Sequence, residues 1–183
     1  MTENKPYKDA VELLQKLIAT PSFSKEEDKT AGIIEQFFSQ KDIPSNRLLN
    51  NVWCVNKYFD ADKPTILLNS HHDTVKPNPQ YTKDPFSPSI EESKLYGLGS
   101  NDAGGCLVSL IAAFCHFYES DDMKYNIVLA ATAEEEISGK NGIESILSSL
   151  PAIDFAIVGE PTLTNLAIDE KGLLVLDCTA TGK

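Results

Sequence analysis

Three short apolar runs alternate with helical segments along this chain, and this alternation restricts its fold more than any other feature. Thr65–Leu68, Asn126–Ala131 and Phe155–Val158 each have the length and composition of a buried strand. Strands that alternate with helices favour a sheet that is covered by helices. The sequence therefore predicts an α/β fold with a mixed, mostly parallel sheet and helices on both faces.

Apolar residues at helical spacing predict the helices between these strands. The first helix ends before Pro21, because the residue that precedes a proline disfavours helical geometry. Ser24 and Glu27 have the spacing of a capping box, which predicts a second helix with Ser24 as its N-cap. Two more helices are predicted over residues 107–115 and about 140–149.

Three other segments complete the pattern. Val52–Val55 predicts a further strand. Residues 76–94 hold four prolines and many polar residues, and they predict a long loop of the kind that is often functional. Leu173–Leu176 begins a new apolar segment near the C-terminus.

The charge and cysteine content exclude several classes of protein. Lys and Arg number 16 against 27 Asp and Glu, and the resulting net charge of −11 argues against nucleic acid or an anionic membrane as the main partner. The four cysteines form no C-x-x-C pair, which predicts buried, reduced thiols instead of a structural zinc knot. The polar N-terminus and the lack of an apolar run of transmembrane length predict a cytoplasmic protein.

Four polar groupings share one topological position, the carboxyl end of a predicted strand or the turn after it. They are His71 with Asp73, Asp102, residues 134–136 and Glu160. Carboxylates that converge around one histidine repel one another unless a cation lies between them. Zinc accepts both nitrogen and carboxylate oxygen, and one carboxylate can bridge two metals about 3.5–4 Å apart. The groupings therefore predict a hydrolytic dinuclear metal site.

The spacing within two of the groupings suggests a division of roles. His71 and Asp73 lie two apart on an extended segment and face the same side, so one can bind metal while the other orients a ligand or a water. Among residues 134–136, one glutamate can bind metal while its neighbour takes a proton from water. Three consecutive glutamates leave two registers open for the base and the ligand, Glu134 with Glu135 or Glu135 with Glu136.

Each grouping also has an interpretation without metal. A lone histidine at a strand end is usually a surface or hydrogen-bonded residue, and a run of glutamates is usually a solvated cluster. Asp102 could cap the following helix, and Glu160 before Pro161 could belong to an ordinary turn. The occurrence of all four groupings at strand ends favours a shared site.

Four segments resemble, in order and in spacing, the motifs of the zinc-dependent peptidase family that includes aminoacylase, acetylornithine deacetylase, succinyl-diaminopimelate desuccinylase and carboxypeptidase G. Ser70–Val75 is similar to the family's H-x-D segment, and Gly97–Asp102 to its glycine-rich segment that ends in aspartate. Thr132–Glu136 is similar to its acidic-Glu-Glu segment, and Gly159–Thr162 matches its G-E-P-T segment. The resemblance extends from about residue 10 to the end of the chain.

The resemblance implies a role for each matched residue. His71 and Glu160 bind the first metal, Asp102 bridges both metals, and Glu136 binds the second metal. The cofactors implied are two Zn²⁺ ions, with Co²⁺ as an alternative.

The resemblance also implies catalytic roles. Glu135 is the general base that activates water and later protonates the leaving amine, and Asp73 orients His71. His72 has no metal role. The register with Glu135 and Glu136 is preferred because Ala133 then precedes the acidic residue, and Ile137–Gly139 falls where the family places a small turn.

The resemblance also implies the domain organisation. Residues 1–170 are expected to form the N-terminal part of a catalytic domain, and residues 171–183 the start of a truncated lid or dimerisation domain. In the family a late histidine completes the second metal site, whereas no histidine follows Glu160 here. We therefore expect the N-terminal portion of a longer enzyme, whose parent is a homodimer through the missing domain.

The expected function is that of a metal-dependent hydrolase. The substrate would be the amide bond of an N-acylated amino acid, as in acetylornithine deacetylase and arginine biosynthesis, or of a small peptide. The alternative is a non-catalytic module that binds metal or dimerises. A nucleotide site is not supported, because Asp102 stands where G-x-G-x-x-G requires its last glycine, and a serine hydrolase lacks its G-x-S-x-G motif.

Overall fold

A computed structural model describes residues 5–169 and 178–182 of the chain. Its helices are α1 (Lys5–Ile18), α2 (Asp28–Ser39), α3 (Gly105–Phe117) and α4 (Ile143–Ile146). Its strands are β1 (Asn46–Leu48), β2 (Asn51–Val55), β3 (Thr65–His71), β4 (Ser89–Glu91), β5 (Lys94–Tyr96), β6 (Asn126–Thr132) and β7 (Phe155–Val158).

The main sheet has five strands in the order β1-β2-β6-β3-β7, which confirms the predicted mixed α/β fold. The strands β6, β3 and β7 run parallel, whereas β2 is antiparallel to β6 and β1 is antiparallel to β2. His71 at the end of β3 pairs with Thr132 at the end of β6. The carboxyl ends of β3, β6 and β7 therefore meet at one edge of the sheet, where ligands bind in open α/β folds.

Apolar residues cover both faces of this sheet. Alternate residues of a strand point to opposite faces, so Leu129 packs on the side of α1, α2 and α3, while Val128 packs with Ile146 of α4. The thicker layer contains Phe38 and Phe114, which are fully buried and meet edge to face with ring centroids 6.2 Å apart. This layer supports β3 and β6 from behind and holds their ends in place.

Several predicted boundaries were wrong. The helix predicted over residues 140–149 is only the single helical turn Ile143–Ile146 followed by a tighter turn at Leu147–Ser149. The loop predicted over residues 76–94 ends in an antiparallel hairpin of β4 and β5. These strands are three residues long and largely polar, so their sequence carried little β signal.

The predicted capping box was also wrong. The helix α2 begins at Asp28, and neither Ser24 nor Glu27 caps it through a side chain. The hydroxyl of Ser24 instead donates to Asp73 Oδ2 at 2.7 Å, and the carboxylate of Glu27 accepts from the backbone of Glu134 at 3.2 Å. Partners that are distant in sequence have replaced the local capping bonds.

The expectation of four buried thiols was wrong for Cys178, which is exposed. Cys54 is buried, and Cys106 and Cys115 are half-buried.

Within the described residues, no helix combines the length and the apolar composition that crossing a bilayer requires. Leu173–Leu176 and most of the expected lid segment lie outside the described residues.

Candidate metal centre

His71 is the central residue of the site. It is the last residue of β3, and its side chain is only 1% exposed. Its Nε2 atom lies 3.3 Å from Asp102 Oδ1, 3.7 Å from Glu135 Oε2 and 3.8 Å from Glu160 Oε1. These carboxylates come from the turn before α3, the turn after β6 and the segment after β7.

Two triads of ligand atoms share this imidazole. His71, Asp102 and Glu136 form the first triad, and His71, Glu135 and Glu160 form the second, with all ligand atoms in each triad within 4.8 Å of one another. A tetrahedral zinc ion with bonds of about 2.1 Å separates its ligand atoms by about 3.4 Å. The distances from Nε2 to the carboxylates match that separation, and the donor set of imidazole nitrogen and carboxylate oxygen suits zinc. The residues therefore fit a metal.

Asp73 holds His71 from the other side of the ring. Nδ1 of His71 lies 3.0 Å from the carbonyl oxygen of Asp73 and 3.3 Å from its Oδ1. Burial acts to lower the pKa of His71, but the hydrogen bond to Asp73 and the surrounding carboxylates outweigh it and raise the pKa to about 9. Nε2 is thereby directed toward the carboxylate cluster.

The carboxylate of Asp73 also organises the glutamate segment. It accepts hydrogen bonds from the backbone N–H of Glu135 at 3.1 Å and of Glu136 at 3.2 Å, in addition to the Ser24 hydroxyl. Burial acts to raise the pKa of Asp73, but these bonds and His71 hold the pKa below its usual value. A single ionised carboxylate thus fixes both the imidazole and the two glutamates that face it.

Glu134 differs from the two glutamates that follow it. Its backbone is left-handed, with φ of 54° and ψ of 23°, and its carboxylate accepts from Asn141 Nδ2 at 2.9 Å. This side chain is buried away from the His71 cluster, whereas Glu135 and Glu136 each belong to one of the two triads. Of the two registers, the geometry therefore favours the one with Glu135 and Glu136.

His72 lies outside the cluster and is held by other partners. Its Nε2–H donates to the carbonyl of Asn50 at 2.9 Å, and its Nδ1 lies 2.9 Å from the hydroxyl of Thr30. Burial holds the pKa of His72 below its usual value, which keeps the ring neutral. Its two nitrogens are both engaged by protein groups.

Glu160 is placed by the end of β7. Gly159 N donates to the carbonyl of Asn69 at 2.8 Å, and the hydroxyl of Ser70 donates to Gly159 O at 2.8 Å. These two hydrogen bonds attach the segment that carries Glu160 to Asn69 and Ser70, the two residues of β3 that precede His71. Burial and the neighbouring carboxylates raise the pKa of both Glu160 and Glu136, as expected for acids that face other acids.

A pocket of about 510 Å³ adjoins the cluster. Asp102 and Glu136 line it, together with Thr74, Tyr96 and residues 81–85 of the long loop. Its volume is in the range of small-molecule sites. The buried Oγ1 of Thr74 has no hydrogen-bond partner among the described residues. The cluster therefore opens into a space that can hold a small molecule.

The structure brings the preferred candidates together and leaves Glu134 apart, while several supporting residues were missed. The residues brought together are His71, Asp73, Asp102, Glu135, Glu136 and Glu160. Ser24 and Glu27 contact the site from 49 and 107 residues away in sequence, through Asp73 and through the backbone of Glu134. Their local pattern predicted a helix cap, so only the long-range pairing could have identified their position.

One protein-family model and individual proteins of related sequence match this chain. A family model described as Peptidase family M20/M25/M40 matches residues 67–171. The chain is 31% identical over 171 residues to succinyl-diaminopimelate desuccinylase of Blochmanniella floridana, covering 86% of this chain and 44% of the relative. It is 31% identical over 175 residues to acetylornithine deacetylase of Buchnera aphidicola subsp. Schizaphis graminum, covering 88% of this chain and 45% of the relative.

Solved structures share the fold. The M20 family metallo-carboxypeptidase Sso-CP2 from Sulfolobus solfataricus superposes with a TM-score of 0.68 at 22% identity, over 82% of this chain and 37% of that one. The chain thus spans less than half the length of the relatives that it matches.

Proposed function

Because this chain belongs to peptidase family M20/M25/M40, we propose that it forms the N-terminal, metal-binding part of a hydrolase that cleaves amide bonds. The observation that carries the proposal is the buried imidazole of His71, whose Nε2 faces three carboxylates at 3.3–3.8 Å. A hydrogen-bonded surface histidine would not be surrounded in this way. The proposed ions are two Zn²⁺, with Co²⁺ as an alternative.

Each residue of the cluster has a proposed role. His71 and Glu160 would hold one metal, Glu136 the other, and Asp102 both. When bound, these ions supply a Lewis acid that polarises the amide carbonyl and acidifies water. Two observations support this assignment. Nε2 of His71 lies 3.3 Å from Asp102 Oδ1 and 3.8 Å from Glu160 Oε1, and Asp102 shares a triad of ligand atoms with Glu136.

Glu135 is proposed as the general base. Its side chain is about half exposed, and its Oε2 lies 3.7 Å from His71 Nε2, so it can take a proton from an attacking water and return it to the leaving amine. Asp73 fixes the backbone of Glu135 and directs His71, and it takes no part in the proton transfer itself.

The proposed substrates are small N-acylated amino acids, or small peptides. The two relatives are named for removing succinyl and acetyl groups, and a deacetylase-like activity in arginine biosynthesis is our preferred assignment. The pocket of about 510 Å³ beside Asp102 and Glu136 has room for such a molecule. We further propose a cytoplasmic location, and a homodimeric parent that contains the remaining chain.

Zinc binding and turnover together test the proposal. The metal-free chain would be titrated with Zn²⁺ by calorimetry, and the protein encoded by the complete gene would be assayed with N-acetylornithine and succinyl-diaminopimelate. Binding of two ions and release of an amine are the expected results. Binding of one ion or none, without turnover by the complete protein, would instead favour the non-catalytic module.

A further inference from the structure

Three consecutive backbone amides after β6 each donate a hydrogen bond to a buried carboxylate. The N–H of Glu134 donates to Glu27 Oε1 at 3.2 Å, and those of Glu135 and Glu136 donate to the two oxygens of Asp73 at 3.1 and 3.2 Å. Asp73 is already part of the site described above. Glu27 lies just before α2 and contacts the site through the backbone of Glu134, and it is absent from both triads.

Glu27 is completely buried, and its partners are N–H groups. Besides Glu134, Lys25 donates its backbone N–H to Oε1 at 2.7 Å, and Asn50 donates its side-chain amide to Oε2 at 2.7 Å. A buried carboxylate is costly unless several donors satisfy it. Only one of these three bonds is local, so the carboxylate mainly joins segments that are distant in sequence.

The bond from Glu134 matters because that residue is strained. A non-glycine residue in the left-handed region costs about 1–2 kcal/mol relative to right-handed geometry. Three hydrogen bonds hold this conformation. The backbone N–H of Glu134 donates to Glu27, and its carbonyl oxygen accepts from Gly139 N at 2.8 Å. Its carboxylate accepts from the side chain of Asn141. The left-handed turn redirects the chain as it leaves β6, and so sets where Glu135 and Glu136 lie.

Glu27 also reaches the imidazole side of the site. Asn50, which donates to Glu27, accepts a hydrogen bond from His72 through its carbonyl, and His72 directly follows His71. One carboxylate therefore connects the end of β3 with the turn after β6. The distance between His71 and the glutamate pair depends on both connections.

We propose that Glu27 is a positioning residue, whose buried carboxylate holds the Glu134 turn so that Glu135 and Glu136 face His71. This inference rests on the proposed function and adds to it a residue that touches neither metal nor substrate. Glu27 acts through the backbone of Glu134 and through Asn50. The structure assigns to it the same kind of role that Asp73 has for the next two residues.

Zinc affinity of the Glu27→Gln variant tests this role. Glutamine keeps the volume but replaces one acceptor oxygen by an NH₂ group. Either the bond from Asn50 to Oε2 or the bonds from Lys25 and Glu134 to Oε1 are then lost, so at least one of the two connections through Glu134 and Asn50 is broken. Removal of a supporting group typically weakens metal binding about 10–100-fold. Calorimetric titration of the metal-free variant should show a loss in this range, and the visible spectrum of the Co²⁺ form should differ from that of the wild type.

The matched control is Asn126→Ala. Asn126 is fully buried at the opposite end of β6, where its side chain donates to the carbonyls of Asp60 at 2.7 Å and Lys63 at 3.0 Å. Its loss should lower the midpoint of thermal unfolding without changing zinc affinity or the Co²⁺ spectrum. Equal zinc affinity in Glu27→Gln and the wild type would overturn the proposal, as would an equal loss in both variants.

A second variant, Asn50→Ala, is used if Glu27→Gln does not fold. It removes the side-chain hydrogen bond from Asn50 to Glu27, and Asn50 is a partly exposed position. A smaller loss of zinc affinity then supports the proposal, and an unchanged affinity overturns it. If the wild type itself does not bind zinc, the proposed function is overturned. That result is obtained before any substitution is made, so it is separate from the effect of Glu27→Gln.

Discussion

The carboxylate of Asp73 lies 3.3 Å from Nδ1 of His71, on the side of the ring opposite the acidic cluster. The same carboxylate accepts the backbone N–H groups of Glu135 and Glu136. The direction of the imidazole and the position of the glutamate pair are therefore set by one group.

Replacing Asp73 by Asn should weaken zinc binding about 10–100-fold, because an amide both loses the charge beside His71 and presents a donor to other donors. The pKa of His71, followed by NMR in the metal-free protein, should fall from its raised value. Asp154→Asn is the control, because Asp154 is also a carboxylate that accepts a backbone hydrogen bond but lies at the other end of β3. Its Oδ2 accepts a hydrogen bond from Thr65 N at 2.8 Å. Equal zinc affinities in the two variants would contradict the coupling.

Replacing Glu135 by Gln in the proposed longer enzyme should lower kcat about 10²–10⁴-fold while zinc content is retained, because the variant cannot accept a proton. Zinc would be measured by elemental analysis and kcat by amine release. Glu144→Gln, on the exposed side of α4, should leave both values unchanged. Full turnover in the Glu135 variant would move the base role to another residue.

The stability of the metal-free protein should depend on pH through His71. The pKa of His71 is raised to about 9 in the folded chain, above the ordinary value of about 6.5. Its stabilising contribution is therefore fully present below about pH 6.5 and is lost as the pH rises through about 9. The free energy of unfolding in urea should fall by up to about 3 kcal/mol across this interval.

The His71→Asn variant isolates this effect, because other groups also titrate near pH 9. The pH dependence of its unfolding free energy should be shallower than that of the wild type over the same interval. Parallel curves for the two proteins would show that His71 is not the titrating group.

Replacing Gly139 by Ala should destabilise the Glu134 turn. A Cβ atom at this position would lie 2.1 Å from Glu134 Oε2 and 2.5 Å from its Cβ, so the side chain must move. A loss of about 1–3 kcal/mol in unfolding free energy is expected. Gly32→Ala in α2 is the control, since its Cβ meets nothing within 4 Å and a helix gains about 0.5–1 kcal/mol from this change. Stabilisation of both variants would contradict the crowding at Gly139.

The parts of the fold that the sequence predicted are those with local causes. The strands β3, β6 and β7 follow from apolar runs, and their parallel arrangement brings His71, Glu136 and Glu160 to one edge. The hairpin of β4 and β5 was missed because its strands are too short and polar to show a pattern.

The supporting residues of the site could not be predicted in the same way. Ser24 and Glu27 match a helix cap locally, and only the folded chain shows that Asp73 and Glu134 are their partners. A hydrogen bond between residues 107 positions apart leaves no trace in a short window of sequence. Ligand residues are identified by their types at strand ends, whereas the residues that hold them are identified by contact alone.

The two triads share His71, and this would determine how ions enter the proposed dinuclear site. One imidazole nitrogen bonds to one cation at a time, so an ion held by Nε2 would leave a second ion with oxygen donors from the cluster. The two proposed positions would therefore not be equivalent. Loading should proceed in order, with a first ion that exchanges slowly and a second that leaves readily on dilution.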